Sequence, residues 1–124
     1  MKIEVSPGEL VDKVTILAIK LEKISDPAKL ANIGREYDLL YDEMAAAGIS
    51  ETLPEYERLM AINRKLWEIE DRIRAKEAAG TFDDEFIELA RSVYFENDKR
   101  AAVKREINVK FGSELLEEKQ YTAY

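Results

Sequence analysis

The sequence predicts an all-α fold, an antiparallel bundle of about four helices in which helices 3 and 4 form a long hairpin. In four successive segments, apolar residues recur at alternating spacings of three and four, the pattern of helices that bury one face. Proline or glycine separates each segment from the next. A chain of 124 residues that is 46% hydrophobic can build one core, so we expect a single domain over residues 1–124.

The first two helices are predicted over residues 7–24 and 27–47. Helix 1 begins at the motif SPGE, in which Ser6 is the cap, Pro7 takes the first helical position and Glu9 completes a capping box. Helix 2 begins at Pro27 and ends before Gly48. The apolar stripes of the two helices are Leu10, Val14, Leu17, Leu21 and Ile24, and Leu30, Ile33, Tyr37, Leu40 and Met44.

Helices 3 and 4 are predicted over residues 54–79 and 83–111, and a short helical piece is expected over 113–120. At 1.5 Å per residue, helices 3 and 4 each reach roughly 40 Å and helices 1 and 2 reach nearer 30 Å. Part of the long hairpin is then left uncovered by its own chain. We therefore expect a homodimer that buries the remainder.

Composition excludes several classes of function. A formal net charge of -7 argues against binding to nucleic acid or to an anionic membrane, because the long-range field repels phosphate. The longest apolar run, residues 14–19, is far too short to cross a bilayer, and we expect a cytoplasmic protein. The chain has no cysteine and no histidine, which removes thiolate and imidazole chemistry. The remaining side chains favour anion binding or oxygen-ligated magnesium.

The centre of helix 4 is the main candidate for a functional region. Five consecutive residues, 96–100, carry no apolar side chain, and the span 91–110 has six basic residues against three acidic ones in an acidic protein. A hairpin folded about Gly80 places Asn97 opposite Ile62 and Arg100 opposite Leu59. A structural interpretation is a polar layer that sets the register of the bundle, with Asn63 beside Asn97. In that interpretation Glu55, Tyr56 and Glu57 lie within reach of Arg100 and Lys104.

A second, functional interpretation of the same residues is a pocket for a small anionic ligand. A third interpretation is a plain solvated face. In the pocket, basic side chains receive a phosphate or a carboxylate, and Tyr94 or Phe95 stacks on a ring. Asn97 and Asp98 orient the donors or bind ligand hydroxyls. The residues proposed for the pocket are Arg91, Tyr94, Asn97, Asp98, Arg100, Lys104 and Arg105.

An alternative function is a magnesium-dependent hydrolase of nucleotide phosphates. Acidic pairs three residues apart place two carboxylates on one helical face, and two such pairs on facing helices hold magnesium. The pairs Glu68 with Asp71 and Glu85 with Glu88 have this layout around Gly80, which resembles that of all-α nucleotide pyrophosphohydrolases. The 26 acidic residues of the chain also produce such pairs by chance. The metal ligands under this alternative are Glu68, Asp71, Glu85 and Glu88.

Four other residues receive structural interpretations. Asp12 interrupts an apolar helix and is interpreted as its exposed edge, with pairing to a helix 4 arginine as the alternative. Trp67 lies one position off the helix 3 stripe and is interpreted as a packing residue. Tyr121 and Tyr124 end the chain in a segment to which no role is assigned.

Three blocks of sequence resemble a small bacterial family known only as a domain of unknown function. They are SPGELVDKVTILAIKLEKI at 6–24, FIELARSVYFENDKRAAVKREIN at 86–108 and GSELLEEKQY at 112–121. The likeness extends over nearly the whole chain and implies a bacterial origin. It implies no activity, cofactor or catalytic residue. The sequence therefore favours a non-enzymatic helical module, dimeric, that acts through protein contacts or by binding a small anion, with no cofactor.

Overall fold

Four α-helices, and no strand, make up the computed structural model, which describes residues 1–124. The all-α class is confirmed, and the helix bounds lie within one residue of those the sequence predicts. The helices are α1 (Pro7–Lys23), α2 (Pro27–Ala46), α3 (Pro54–Ala79) and α4 (Asp84–Lys110).

Local sequence explains where the helices begin and end. The Ser6 hydroxyl accepts from the Glu9 amide at 3.2 Å, and the Asp83 carboxylate accepts from the Phe86 amide at 3.0 Å. Gly80 ends α3 in the left-handed region, with φ of 65°. The expected capping box is only half formed, because the Glu9 carboxylate lies 2.8 Å from Lys104 Nζ. A contact between helices thus replaces the local one.

The helices are arranged as two hairpins, α1–α2 and α3–α4, and α1 packs against the second hairpin. Arg72 pairs with Glu85 near the Gly80 turn, and Glu55 lies 3.3 Å from Lys110 at the other end, so α3 and α4 are antiparallel. Helix α1 packs against both α3 and α4, and the close backbone contacts of α2 are with α1, while Met44 near the end of α2 reaches the shared core. Helix α1 therefore contacts each of the other three helices, and α2 forms the outer layer of the bundle.

The apolar core lies at the open end of the α3–α4 hairpin. It brings together the first half of α1, the end of α2, the start of α3 and the end of α4. Its buried members are Val11, Val14, Met44, Ile49, Tyr56, Leu59, Val103 and Ile107.

The other end of the hairpin extends beyond the helices that cover the core. Helices α3 and α4 have 26 and 27 residues, against 17 and 20 in α1 and α2. Phe82 and Ile87, near the turn, are 59% and 52% exposed. The predicted mismatch in helix length is present, and the homodimer inferred from it stays a prediction.

The short helical piece expected over 113–120 is wrong. Residues 113–124, called the tail below, contain no helix and return along α4. The Ser113 hydroxyl bonds the backbone of Leu115, while Glu117 and Glu118 pair with Lys104 and Arg105 at 3.2 and 3.1 Å. A helix this short needs tertiary burial of an apolar face, and Leu115 and Leu116 of the tail remain 45% and 41% exposed.

Helices α1 and α4 approach each other closely at Gly8. Its amide donates to Asn108 Oδ1 at 2.7 Å, and a Cβ atom at this position would lie 2.4 Å from the Lys104 carbonyl oxygen. Glycine is therefore required at position 8 by the contact between two backbones.

We expect Gly8→Ala to destabilise the protein by about 1–3 kcal/mol, because the added methyl group must separate α1 from α4. The matched control is Gly34→Ala in α2, where an added Cβ meets nothing within 4 Å. That change should stabilise the protein by about 0.5–1 kcal/mol through helix propensity. Urea unfolding of both variants measures the difference, and an equal midpoint for the two would contradict the close approach.

Candidate functional site

A buried polar cluster lies where α1, α3 and α4 meet. Asp12 and Thr15 of α1 and Asn63 of α3 are 6%, 0% and 4% exposed. Asn63 Nδ2 donates to Asp12 Oδ1 and to Thr15 Oγ1, each at 2.9 Å, and the Thr15 hydroxyl donates to the Asp12 carbonyl at 2.7 Å. Asp12 is therefore buried and hydrogen-bonded, and its interpretation as an exposed helix edge is wrong. Periodicity missed this because it shows polarity and not the partner that satisfies it.

Arg100 extends the cluster onto α4. Its Nη1 donates to Asn63 Oδ1 at 3.2 Å, and its Nη2 donates to Asn97 Oδ1 at 2.5 Å. Both acceptors are neutral amide oxygens. A guanidinium has five N–H donors, so two amides orient the group and leave donors unused. Arg100 is half-buried, and no carboxylate of the chain forms an ion pair with it.

Each of the other basic residues between positions 91 and 110 has a carboxylate partner. The nitrogen-to-oxygen distances run from 2.8 to 3.7 Å. Arg100 is therefore the exception among six. The pairs are Arg91 with Glu88, Lys99 with Glu96, Lys104 with Glu9, Arg105 with Glu118, and Lys110 with Glu55.

Lys104 is the most heavily engaged of these side chains. Its Nζ lies 2.8 Å from Glu9, 3.2 Å from Glu117 and 3.9 Å from Asp12. Burial by itself would lower the pKa of Lys104, but the hydrogen bond to Glu9 and the nearby charge of Asp12 outweigh burial and raise it. Lys104 therefore binds α1 and the tail to α4 and has little capacity left for a ligand.

The predicted neighbours of Arg100 are only partly correct. Asn63 lies beside Asn97 and Arg100 as the register predicts, but Glu55, Tyr56 and Glu57 do not partner Arg100 or Lys104. Glu55 pairs with Lys110, and Tyr56 is buried in the core, where desolvation raises its pKa to about 12. Lys104 pairs instead with Glu9 of α1 and Glu117 of the tail.

Glu96 is a buried charge that sequence reasoning left without a role. Its carboxylate is 2.9 Å from Lys65 and 3.1 Å from Lys99, and it is almost fully enclosed. Desolvation would raise the pKa of Glu96, but the two lysines lower it overall. Glu96 therefore helps hold α3 against α4.

Two cavities border Arg100. The inner cleft, about 470 Å³, lies between α1, α3 and α4, and the outer cavity, about 1180 Å³, lies between α4 and the tail. The inner cleft has an apolar wall of Ile16, Leu66, Trp67 and Val93, with Asn63, Asn97 and Arg100 at one end and Glu70, Asp71 and Arg74 at the other.

The seven residues proposed for an anion pocket separate into three groups. Asn97 and Arg100 border both cavities, while Tyr94 and Asp98 border only the outer one. Arg91, Lys104 and Arg105 border neither. Sequence reasoning missed Trp67 and Asp71 as cleft residues, although they lie four and eight residues after Asn63 and therefore on the same face of α3.

The tail contributes Tyr124 to this region, a residue to which the sequence assigned no role. Its ring centroid lies 5.2 Å from that of Tyr94 and 5.0 Å from that of Phe95, and its hydroxyl donates to Asp98. Asp98 thus meets a tyrosine, and it forms no ion pair with Arg91 or Arg105, which lie seven residues away from it in either direction along α4. No local pattern predicts this contact, because 26 residues separate the partners.

The four acids of the magnesium alternative do not converge. No group of three or more acidic side chains is placed to hold a metal ion. Glu85 pairs with Arg72 and Lys76, Glu88 pairs with Arg91, and Asp71 lines the inner cleft. Glu68, Asp71, Glu85 and Glu88 therefore form no common site.

Comparison with known families agrees with the resemblance seen in the three sequence blocks. A family model described as a family of unknown function, DUF6165, matches residues 1–124. The chain belongs to the DUF6165 family. No curated protein and no solved structure matches it significantly. Within the DUF6165 chain, no helix combines the length and the apolar character needed to cross a bilayer.

We expect the tail to leave α4 in acid. The hydrogen bond from Lys104 lowers the pKa of Glu117 below its ordinary 4.5. Because the pKa of Glu117 is lower in the folded protein than in the unfolded chain, the ion pair contributes its full stabilisation above the unfolded-state pKa. That contribution is lost as pH falls through the folded-state pKa, which lies below 4.5. Methyl signals of Thr122 and Ala123 in NMR spectra should therefore move towards those of a free peptide below this pH.

The corresponding variant is Glu117→Gln, which should shift the same methyl signals at neutral pH. Glu114→Gln is the matched control, because the Glu114 side chain contacts no partner. Identical spectra for Glu117→Gln and the unchanged protein at neutral pH would show that this ion pair does not hold the tail.

Proposed function

We propose that this protein is a non-enzymatic helical module that binds a small anionic ligand in the inner cleft, with Arg100 as the anchor. One observation carries the proposal. Of the six basic side chains between positions 91 and 110, Arg100 alone lacks a carboxylate partner, and it borders a cavity. The charges of the rest of this segment are used within the protein, whereas that of Arg100 remains available.

The hydrogen bonds to Arg100 suit it for binding an anion. Asn63 and Asn97 restrict its guanidinium without neutralising it, so less rotamer entropy is lost when a ligand binds. Arginine presents paired donors that match the two oxygens of a carboxylate or phosphate. The contact is partly shielded from water, which strengthens it relative to an exposed pair.

The wall of the inner cleft defines the rest of the ligand. Ile16, Leu66 and Val93 supply aliphatic surface, and Trp67 adds an aromatic side chain. Such a surface favours an organic ligand with an apolar body over a bare inorganic ion. The polar groups of the cleft are two amides, two arginines and two carboxylates. These groups can bind and orient a ligand, but they include no nucleophile beside a base.

We expect octanoate or phenyl phosphate to raise the melting temperature. A ligand at about 100 times its Kd stabilises the native state by about 2.7 kcal/mol, a rise of roughly 10 °C for a domain of this size. Arg100→Gln should abolish the rise. Arg58→Gln, which alters an exposed α3 arginine paired with Glu106, should retain it. No rise with either probe, or an equal rise in Arg100→Gln, would refute the proposed site.

We also propose that the protein assembles as a homodimer through the turn end of the α3–α4 hairpin. What supports this is the exposure of Phe82 and Ile87, at the end of the hairpin that the core does not reach. A second copy presents the same apolar patch, and a two-fold axis lets each copy cover the other.

Light scattering at micromolar concentration should then give twice the chain mass of 14.3 kDa. Ile87→Glu should return the particle to the mass of one chain, because it places a charge in the interface. The control Val109→Glu alters an exposed residue at the opposite end of α4 and should leave the dimer intact. A single-chain mass for the unchanged protein would rule out the dimer.

A further inference from the structure

We infer that the ligand of the inner cleft is a dipolar molecule, with an anionic group on Arg100, an apolar body on Trp67 and a cationic amine at Asp71. This inference rests on the proposed function and names the class of ligand for the same cleft. Linear ω-amino acids are the simplest members of the class. The geometry of α3 and the charges at the two ends of the cleft carry the inference.

One face of α3 carries the three required groups in order. Asn63, Trp67 and Asp71 are spaced four residues apart, so their side chains follow one another along the helix. Asn63 marks the position of the Arg100 guanidinium through its hydrogen bond. Eight residues of helix separate Asn63 from Asp71, an axial distance of about 12 Å. The cleft is therefore long enough for a ligand with two separated charged groups.

The far end of the cleft has a net negative charge. Glu70 and Arg74 pair with each other at 3.2 Å, so the negative charge of Asp71 is not compensated. Asp71 forms no ion pair with any side chain of the protein. The near end has the opposite imbalance, because Arg100 has only amide partners. The two unpaired charges of the cleft are thus opposite in sign and lie at opposite ends.

Trp67 lies between these charges and suits both parts of the ligand that pass over it. Its ring offers a large apolar surface to a methylene chain, and its π face attracts a cation near Asp71. A ligand with two anionic groups would place one of them beside the unpaired charge of Asp71, where like charges repel each other. The cleft therefore selects a dipolar ligand over a diacid of the same length.

The test uses Trp67 as the reporter, because it is the only tryptophan in the chain. Its fluorescence is followed while ω-aminooctanoate, octanoate or octylamine is added to the full chain. An ion pair at an exposed carboxylate together with a cation–π contact predicts that ω-aminooctanoate binds about five- to tenfold more tightly than octanoate. Octylamine should bind more weakly than ω-aminooctanoate, since it has no group for Arg100.

Asp71→Asn should remove the advantage of ω-aminooctanoate and leave the affinity for octanoate equal or higher. Glu77→Gln, which alters an exposed acid further along α3, is the matched control and should keep the advantage. Asp71 is exposed, so its substitution should leave the fold intact, and the circular dichroism spectrum checks this.

The outcomes separate this inference from the function on which it rests. Binding of octanoate that needs Arg100, without any gain from the amine, overturns the dipolar ligand and keeps the anion site. A gain from the amine that survives Asp71→Asn also overturns it. If octylamine binds as tightly as ω-aminooctanoate, Arg100 is not the anchor and both proposals fail. Absence of binding by all three compounds overturns both as well.

Discussion

The side-chain amide of Asn63 joins the three helices on which the rest of the structure depends. Its nitrogen donates to Asp12 and Thr15 of α1, and its oxygen accepts from Arg100 of α4. A buried amide left without partners costs about 1–3 kcal/mol, so a shift of α1 that separated Asp12 and Thr15 from Asn63 would be unfavourable. The apolar core holds the helices together, and this amide sets their relative position. Arg100 is oriented at the cleft by the same interaction.

The basic side chains between positions 91 and 110 are paired with acids almost completely, and the one exception gives the cleft its character. Helix α1 supplies Glu9 and Asp12 to Lys104, and α3 supplies Glu55 to Lys110. These contacts connect helices and use up the basic groups that make the segment 91–110 positive. Arg100 meets amides because α3 places Asn63 where an acid would be needed for neutralisation. The polar layer and the proposed ligand site are therefore the same set of residues, because the layer positions an arginine that it does not neutralise.

The tail shows how long-range contacts override local preference. Its sequence has the composition of a helix, but its acids are attracted to Lys104 and Arg105, and its last tyrosine packs on the aromatic rings of α4. These contacts are exposed and individually weak, so the tail is held less firmly than the helices. Because it forms one wall of the outer cavity, access to Arg100 from that side depends on its position.

The sequence by itself determined the four helices, their ends and the antiparallel α3–α4 hairpin, because periodicity, caps and glycine stops act over a few residues. It also located the polar centre of α4 and placed Asn63 beside Asn97. Only the tertiary structure decided which basic group stays unpaired, since the partners of Lys104 and Arg105 come from α1 and the tail. The burial of Asp12 and the place of Asp71 in the cleft were decided in the same way, because burial and pairing depend on helices distant in sequence.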